Sequence, residues 1–179
     1  MTEARLLSLL QNPETKVKGF TYLFDSYKER LYYHIRSIVH NPTYTDDIVQ
    51  NTFIKVYHNL DQFQGKSAFY TWLYRIATNE ALNFLRKEAK HKNLSVDEIR
   101  QSTLEQLKAD SHFDLSNAEK KLEIALSQLP HRQALVFSMH YDQNLKLKTI
   151  AQILDTSLGN VKALHHHAQK KIKEILKAT

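Results

Sequence analysis

The chain contains no cysteine, and it has only three glycines and three prolines among its 179 residues. The absence of cysteine excludes disulfide bonds and thiolate metal sites, and it is compatible with a reducing compartment. Few glycines and prolines, most of them between periodic apolar segments, favour helices over strands. No apolar run approaches the roughly 20 residues that span a bilayer, and no signal-peptide pattern opens the chain. We therefore expect an all-α cytoplasmic protein without direct membrane insertion.

Positive charge, by contrast, is in excess. The net charge is +6, and the hydrophobic fraction of 42% is enough for buried cores. Basic residues outnumber acidic ones in residues 1–90 and again in 118–179, whereas acidic residues outnumber basic ones in 91–117. Two basic blocks around a slightly acidic connector are the arrangement expected of a protein that touches nucleic acid at two places.

Helical periodicity covers most of the first half of the chain. Apolar residues recur at steps of three and four over about 20–39, 44–60 and 68–90, which predicts three helices. Asn41-Pro42 ends the first helix, and the polar stretch 61–67 separates the second from the third.

A polar segment then divides the chain. Residues 91–117 are weakly periodic and poor in bulky apolar side chains, as expected of a linker. The sequence therefore predicts one domain over 1–90, a linker over 91–117 and a second domain over 118–179.

The segment from Leu147 to Leu176 has the pattern of a helix-turn-helix, with the turn at 155–157. One stripe of its second helix is apolar, and the opposite stripe offers donors and positive charge to a DNA major groove. A hairpin of two helices with a solvated basic face stays open as the alternative. The candidate DNA-contacting residues here are Ser157, Asn160, Lys162, Ala163, His166, His167 and Lys170.

Catalytic and metal-binding patterns are not visible. The three consecutive histidines at 165–167 do not predict a metal site, because neighbouring side chains on a helix point about 100° apart. We find no catalytic constellation and no phosphate-binding glycine loop. We therefore expect neither an enzyme nor a cofactor.

Three segments resemble the extracytoplasmic-function sigma factors. Asp46–Phe53 (DDIVQNTF) resembles the polymerase-binding segment of that family, and Phe69–Asn79 (FYTWLYRIATN) resembles its promoter-melting and −10-reading segment. Leu126–Pro130 (LSQLP), followed by the helix-turn-helix, resembles the domain that reads the −35 element. The resemblance covers nearly the whole chain. It implies core RNA polymerase and promoter DNA as partners, together with an anti-sigma factor, which is expected to be membrane-associated.

The resemblance also implies roles for individual residues. Residues expected to meet polymerase are Asp46, Asp47, Ile48, Gln50, Asn51 and Phe53. Residues expected to meet the −10 element are Lys66, Thr71, Arg75, Asn79, Asn83, Arg86 and Lys87. The loop at 64–67 would receive a flipped base, and Asn79 is the best candidate for a base contact.

The chain departs from the family pattern at three places. Asn51 stands where the family often has Glu, and Asn83 stands where many members have Asp. Ala163-Leu164 replaces a common Ser-Arg pair, which removes a potential guanine-reading arginine and leaves more of the −35 contact to phosphates.

Two other classes of protein stay open at the level of sequence. The first is a stand-alone helix-turn-helix repressor or activator, which should bind duplex DNA tightly without polymerase. The second is a helical protein-interaction module with a basic surface, which should show no salt-steep affinity for DNA.

Overall fold

The computed structural model describes residues 2–99, 101–102, 122 and 125–178, and every regular element in these ranges is helical. This confirms the predicted all-α class. Much of the predicted linker lies outside the described residues. The helices are α1 (Glu3–Gln11), α2 (Lys16–Val39), α3 (Pro42–Asn59), α4 (Phe69–Lys92), α5 (His131–Tyr141), α6 (Leu147–Ile153) and α7 (Leu158–Ala178), with a 3-10 turn at Leu60–Gln62.

Local signals place the boundary between α2 and α3. His40 adopts the left-handed conformation (φ 57°), and its backbone N–H donates to Arg36 O, which ends α2. Asn41 Oδ1 accepts from Tyr44 N at 3.1 Å, and Pro42 occupies the first turn of α3. The predicted break at Asn41-Pro42 is confirmed.

Helices α2, α3 and α4 pack around one apolar core. Leu31 and Ile35 of α2, Val56 of α3, and Leu73 and Ala77 of α4 are all fully buried within it. Each helix contributes one inward stripe, as the periodicity predicted.

Helix α1 is present in the structure but is not among the helices predicted from the sequence. Leu6 and Leu10, one turn apart, are buried against the rest of the domain. Gly19 permits a close approach of α2, since a Cβ at that position would lie 2.9 Å from Leu9 Cβ. The leucine spacing and Thr2, whose hydroxyl caps the helix through Arg5 N, are the signals that could have found it.

The predicted helix-turn-helix is confirmed. Helices α6 and α7 flank a turn in which Asp155 is left-handed (φ 50°). Ala151 of α6 and Val161, Ala168 and Ile172 of α7 face inward and are buried. The opposite face of α7 is therefore turned toward solvent.

The two halves of the chain contact each other through a partly polar junction. His34 of α2 is fully buried, and its Nδ1 donates to Gln143 Oε1 at 2.9 Å. The His34 Nε2 is hydrogen-bonded to the Thr78 hydroxyl at 2.7 Å. Nearby, the hydroxyls of Tyr70 and Thr149 are 3.5 Å apart. Residues far apart in sequence thus tie α2 and α4 to the segment around α5 and α6.

Candidate protein and nucleic-acid interfaces

One face of α3 presents acidic and amide side chains to solvent. Asp46, Asp47, Gln50 and Asn51 are all exposed. Because residues three and four apart are neighbours on a helix, these side chains form one continuous outer patch. The structure thus brings together four of the six residues predicted to bind polymerase.

The other two, Ile48 and Phe53, lie inside the domain, and each exposes 3% of its surface. Phe53 packs edge-on against Phe20, with centroids 6.2 Å apart, and against Phe24 at 4.8 Å. Their prediction as direct polymerase contacts is corrected: they occupy the inward stripe of α3 and support the outer patch from below.

Ile54 extends the same outer patch and is not among the residues predicted from the sequence. It is 56% exposed and lies one turn beyond Gln50 and Asn51. On the adjoining surface, Lys55 Nζ donates to Glu80 Oε1 at 2.6 Å and links α3 to α4. The spacing of Ile54 from Gln50 is the signal that could have identified it.

The loop before α4 and the outer side of α4 form a second surface. Gly65 in the loop has a φ of +69°, a conformation that favours glycine. Phe63 before the loop contacts Phe69 and Trp72 after it, with ring centroids 5.2 and 5.5 Å apart. These contacts hold the base of the loop while its tip stays exposed. The predicted −10 residues found exposed are Lys66, Asn79, Asn83, Arg86 and Lys87.

Thr71 and Arg75 are the two predicted −10 residues that are not exposed. Thr71 exposes 2% of its surface because it lies on the inward side of α4, so its prediction as a DNA contact is corrected. Arg75 is half-buried, and its Nε has no hydrogen-bond partner among the described residues. Arg86 Nη1 donates to Asn83 Oδ1 at 2.8 Å, which orients Asn83 on the exposed side.

The outer face of α7 forms the third surface. All seven residues predicted there are exposed. Ser157 Oγ accepts from Asn160 N at 3.1 Å, and Asn160 Nδ2 donates to Thr156 Oγ1 at 3.0 Å. Ser157 and Asn160 therefore also fix the start of α7.

The histidine run is divided between interior and surface. His165 is half-buried, stacks on Tyr141 at 5.8 Å and meets His140 edge-on at 4.7 Å. Burial, followed by the positive charge that His140 and His166 can carry, lowers the pKa of His165. His166 and His167 point outward.

The second and third surfaces meet at one cleft of about 600 Å³ between the two halves of the chain. Asn79 and Arg86 of α4 line it together with Asn160 of α7 and Arg132 of α5. Residues predicted to read two different DNA elements therefore share one cavity.

Among the described residues, no helix combines the length and apolar character needed to cross a membrane.

Comparison with known proteins identifies both halves of the chain. Residues 23–91 match Sigma-70 region 2, and residues 125–174 match Sigma-70, region 4. The chain is 36% identical over 134 residues to the ECF RNA polymerase sigma-E factor of Salmonella typhimurium, covering 70% of each chain. It is 29% identical over 170 residues to the ECF RNA polymerase sigma factor SigW of Bacillus subtilis, covering 89% of each.

Solved structures agree in fold. The sigma factor RpoE of Bartonella quintana, in complex with the anti-sigma factor NepR, matches with a TM-score of 0.67 and 18% identity over 89% of this chain and 98% of that one. CnrH, in complex with the cytosolic domain of CnrY, matches with a TM-score of 0.66 and 22% identity over 98% of this chain and 95% of that one.

The all-α fold and the two family matches define a DNA-binding transcription factor with sigma-70 regions 2 and 4. The chain belongs to the extracytoplasmic-function RNA polymerase sigma factors. It acts in promoter-directed transcription initiation, with core RNA polymerase and promoter DNA as partners. Family membership thereby decides against a stand-alone repressor and against a simple interaction module.

Proposed function

We propose that the three surfaces divide the work of initiation. The outer patch of α3 docks core polymerase, the loop and outer side of α4 capture and read the −10 element, and the outer face of α7 reads the −35 element. In this proposal 1–90 and 118–179 are separate working domains joined by the linker 91–117. The polymerase performs the chemistry, and this chain is a cytoplasmic, non-enzymatic specificity factor without a cofactor.

One observation supports the assignment of the α3 patch as the surface that docks core polymerase. An acidic and amide patch with an apolar end lies exposed on a helix whose inward stripe is fixed in the core. Such a patch complements a basic helical surface with apolar side chains, because the carboxylates supply attraction and Ile54 supplies contact area. The residues of the patch are Asp46, Asp47, Gln50, Asn51 and Ile54.

The affinity of the purified protein for core RNA polymerase tests this assignment. Asp47→Lys reverses a charge at the centre of the patch, and we expect it to weaken binding by roughly 2 kcal/mol, or about thirtyfold. Glu14→Lys, the same reversal at an exposed site in the turn between α1 and α2, is the matched control. Equal affinities of the Asp47 variant, the control and the unchanged protein would exclude the patch as the docking surface.

The cleft sets a condition for promoter binding. Asn79 and Asn160 line one cavity, whereas the −10 and −35 elements are about 25 base pairs apart, or about 85 Å at about 3.4 Å per base pair. We therefore propose that the two domains separate before both elements are read. The arrangement with the shared cleft is a closed state in this scheme.

We also propose an anti-sigma factor as a regulatory partner, expected to be membrane-associated. The support is the likeness in fold to RpoE, whose structure contains the anti-sigma factor NepR. By stabilising the closed state, such a partner would keep the two DNA-reading surfaces from reaching both promoter elements at once.

A further inference from the structure

Helix α4 begins without a side-chain cap from its own sequence. The residue at its cap position is Ala68, which has no acceptor to offer to the free amides of the first turn. Instead, Phe69 N donates to Glu3 Oε1 at 2.9 Å. The carboxylate therefore comes from α1, 66 residues away in sequence. It lies at the positive end of the helix dipole, where a negative charge is most stabilising.

The position of Glu3 depends on how α1 is anchored. The close contact at Gly19 and the buried Leu6 and Leu10 fix α1 against the domain. Thr15 Oγ1 also donates to Leu9 O at 2.9 Å.

An electrostatic effect on Tyr27 agrees with this position. The pKa of Tyr27 is raised, first by burial and next by the negative charge of Glu3. The carboxylate of Glu3 thus lies near enough to Tyr27 to act on its pKa while it accepts the hydrogen bond at the start of α4.

The first turn of α4 is also where the exposed loop ends. The rings of Phe63 and Trp72, whose centroids are 5.5 Å apart, hold the two sides of the loop base together. Contacts between rings leave the direction of the last loop residues free, whereas a hydrogen bond to the Phe69 amide fixes the backbone where the loop joins the helix.

We propose that Glu3 is a positioning residue for promoter opening: its carboxylate caps α4 from outside and fixes the loop that receives the unpaired base. The proposal rests on the assignment of this loop to the −10 element. A loop that is already ordered captures a base without a further loss of backbone entropy, so the cap favours the open promoter. Docking on polymerase uses the α3 patch and does not need the cap.

The test uses holoenzyme assembled from core polymerase and the full chain, on a promoter selected by the unchanged protein from random duplex DNA. Opening is followed by the fluorescence of 2-aminopurine placed in the −10 element. We expect Glu3→Ala to reduce the equilibrium between open and closed promoter about fivefold, the usual worth of a helix cap, with unchanged affinity for core polymerase. Glu3→Gln, which keeps a carbonyl acceptor but loses the charge, should show a smaller loss.

The matched control is Glu14→Ala, which removes an exposed carboxylate away from the loop. We expect it to open the promoter as well as the unchanged protein does. A loss in Glu14→Ala equal to that in Glu3→Ala would overturn the proposal, because the effect would then be one of overall charge.

A rescue variant separates capping from a general loss of stability. Ala68→Asp places a carboxylate at the cap position of α4 itself, so the double variant Glu3→Ala/Ala68→Asp should regain opening. Hydrogen exchange of the Phe69 amide should be faster in Glu3→Ala than in the unchanged protein. A double variant as defective as Glu3→Ala, or unchanged exchange at Phe69, would overturn the role of Glu3.

Asn79→Ala distinguishes this inference from the function on which it rests. If Asn79→Ala impairs opening and Glu3→Ala does not, the cap is overturned while the −10 assignment stands. If neither variant impairs opening, both are overturned.

Discussion

The interior of the N-terminal domain and the junction between the two domains share one apolar cluster, but the junction adds a polar contact to it. The interior is built from apolar side chains such as Leu31 and Leu73, which are fully buried. At the junction, apolar side chains such as Met139 and Ile150 join the same cluster. A buried imidazole there, His34, is hydrogen-bonded to Thr78 and to Gln143 of the other half of the chain.

The junction is therefore the part of the molecule that responds most readily to its conditions. Apolar burial does not depend on pH or on any single hydrogen bond, so the interior stays intact while conditions vary. A buried polar contact depends on the pH and on each of its hydrogen bonds, because an unpaired or charged group in the interior is costly. The cleft lined by Asn79 and Asn160 lies between the same two halves of the chain, so the more adjustable contact joins the parts that the proposed function requires to separate.

The largest expected effect is in the interior. Leu31→Ala should lower the free energy of unfolding by about 2–5 kcal/mol, because it removes buried methyl groups and leaves a cavity. Urea denaturation followed by circular dichroism measures the loss. Ile54→Ala, at an exposed site on α3, is the control and should change stability little. Equal losses of stability in Leu31→Ala and Ile54→Ala would contradict the role of buried apolar packing in the interior.

Acidification should act on the junction. Burial lowers the pKa of His34 to about 4, while the Gln143 hydrogen bond opposes the shift. The pKa of His34 in the folded protein lies below its value of about 6.5 in the unfolded chain. The closed state therefore favours the neutral imidazole. Relative to the unfolded chain, its contribution is complete above about pH 6.5 and is lost as the pH falls toward 4, a total of about 3 kcal/mol. Separation of the domains relieves the part of this cost that comes from burial by the second half, since Tyr74 and Thr78 of the same domain also enclose the ring. We expect the two domains to separate over this range.

Energy transfer between two dyes measures that separation. The chain has no cysteine of its own, so Lys18→Cys and Lys177→Cys, both at exposed sites, give specific labelling of the two halves. His34→Gln should remove the pH dependence, and His58→Gln, at an exposed histidine, should keep it. A dye separation that is constant from pH 7 to 4 would contradict the role given to His34.

The smallest expected effect is the loss of one junction hydrogen bond. Gln143→Ala should favour the separated state by about 1–3 kcal/mol at pH 7, because it leaves His34 Nδ1 buried without its acceptor. The same dye pair reports the change. Gln152→Ala, at an exposed site on α6, is the matched control. We expect Gln143→Ala to move the domains apart without altering the urea midpoint of the N-terminal domain. An unchanged dye separation would contradict the role given to the Gln143 hydrogen bond.

Much of the candidate site could be predicted from the sequence, but the direction in which each side chain points was predicted only in part. The family resemblance selected Asp46–Phe53 as a segment without distinguishing its two faces. The helical period places Ile48 and Phe53 on the apolar stripe, so the correction at these residues was already contained in the spacing. Thr71 differs, because a threonine on α4 carries no sign of burial and only the packing of neighbouring helices encloses it.

Most of the helices, their breaks and the exposed stripes could be predicted from the sequence, since these follow from residues within a few positions of one another. The contacts of Glu3 with the Phe69 amide and of His34 with Gln143 arise only from the tertiary packing, because they join residues 66 and 109 positions apart. Spacing in the sequence carries no information on such pairs. They depend on the lengths of the helices, the close approach of α1 at Gly19 and the way the second half of the chain packs against α2 and α4.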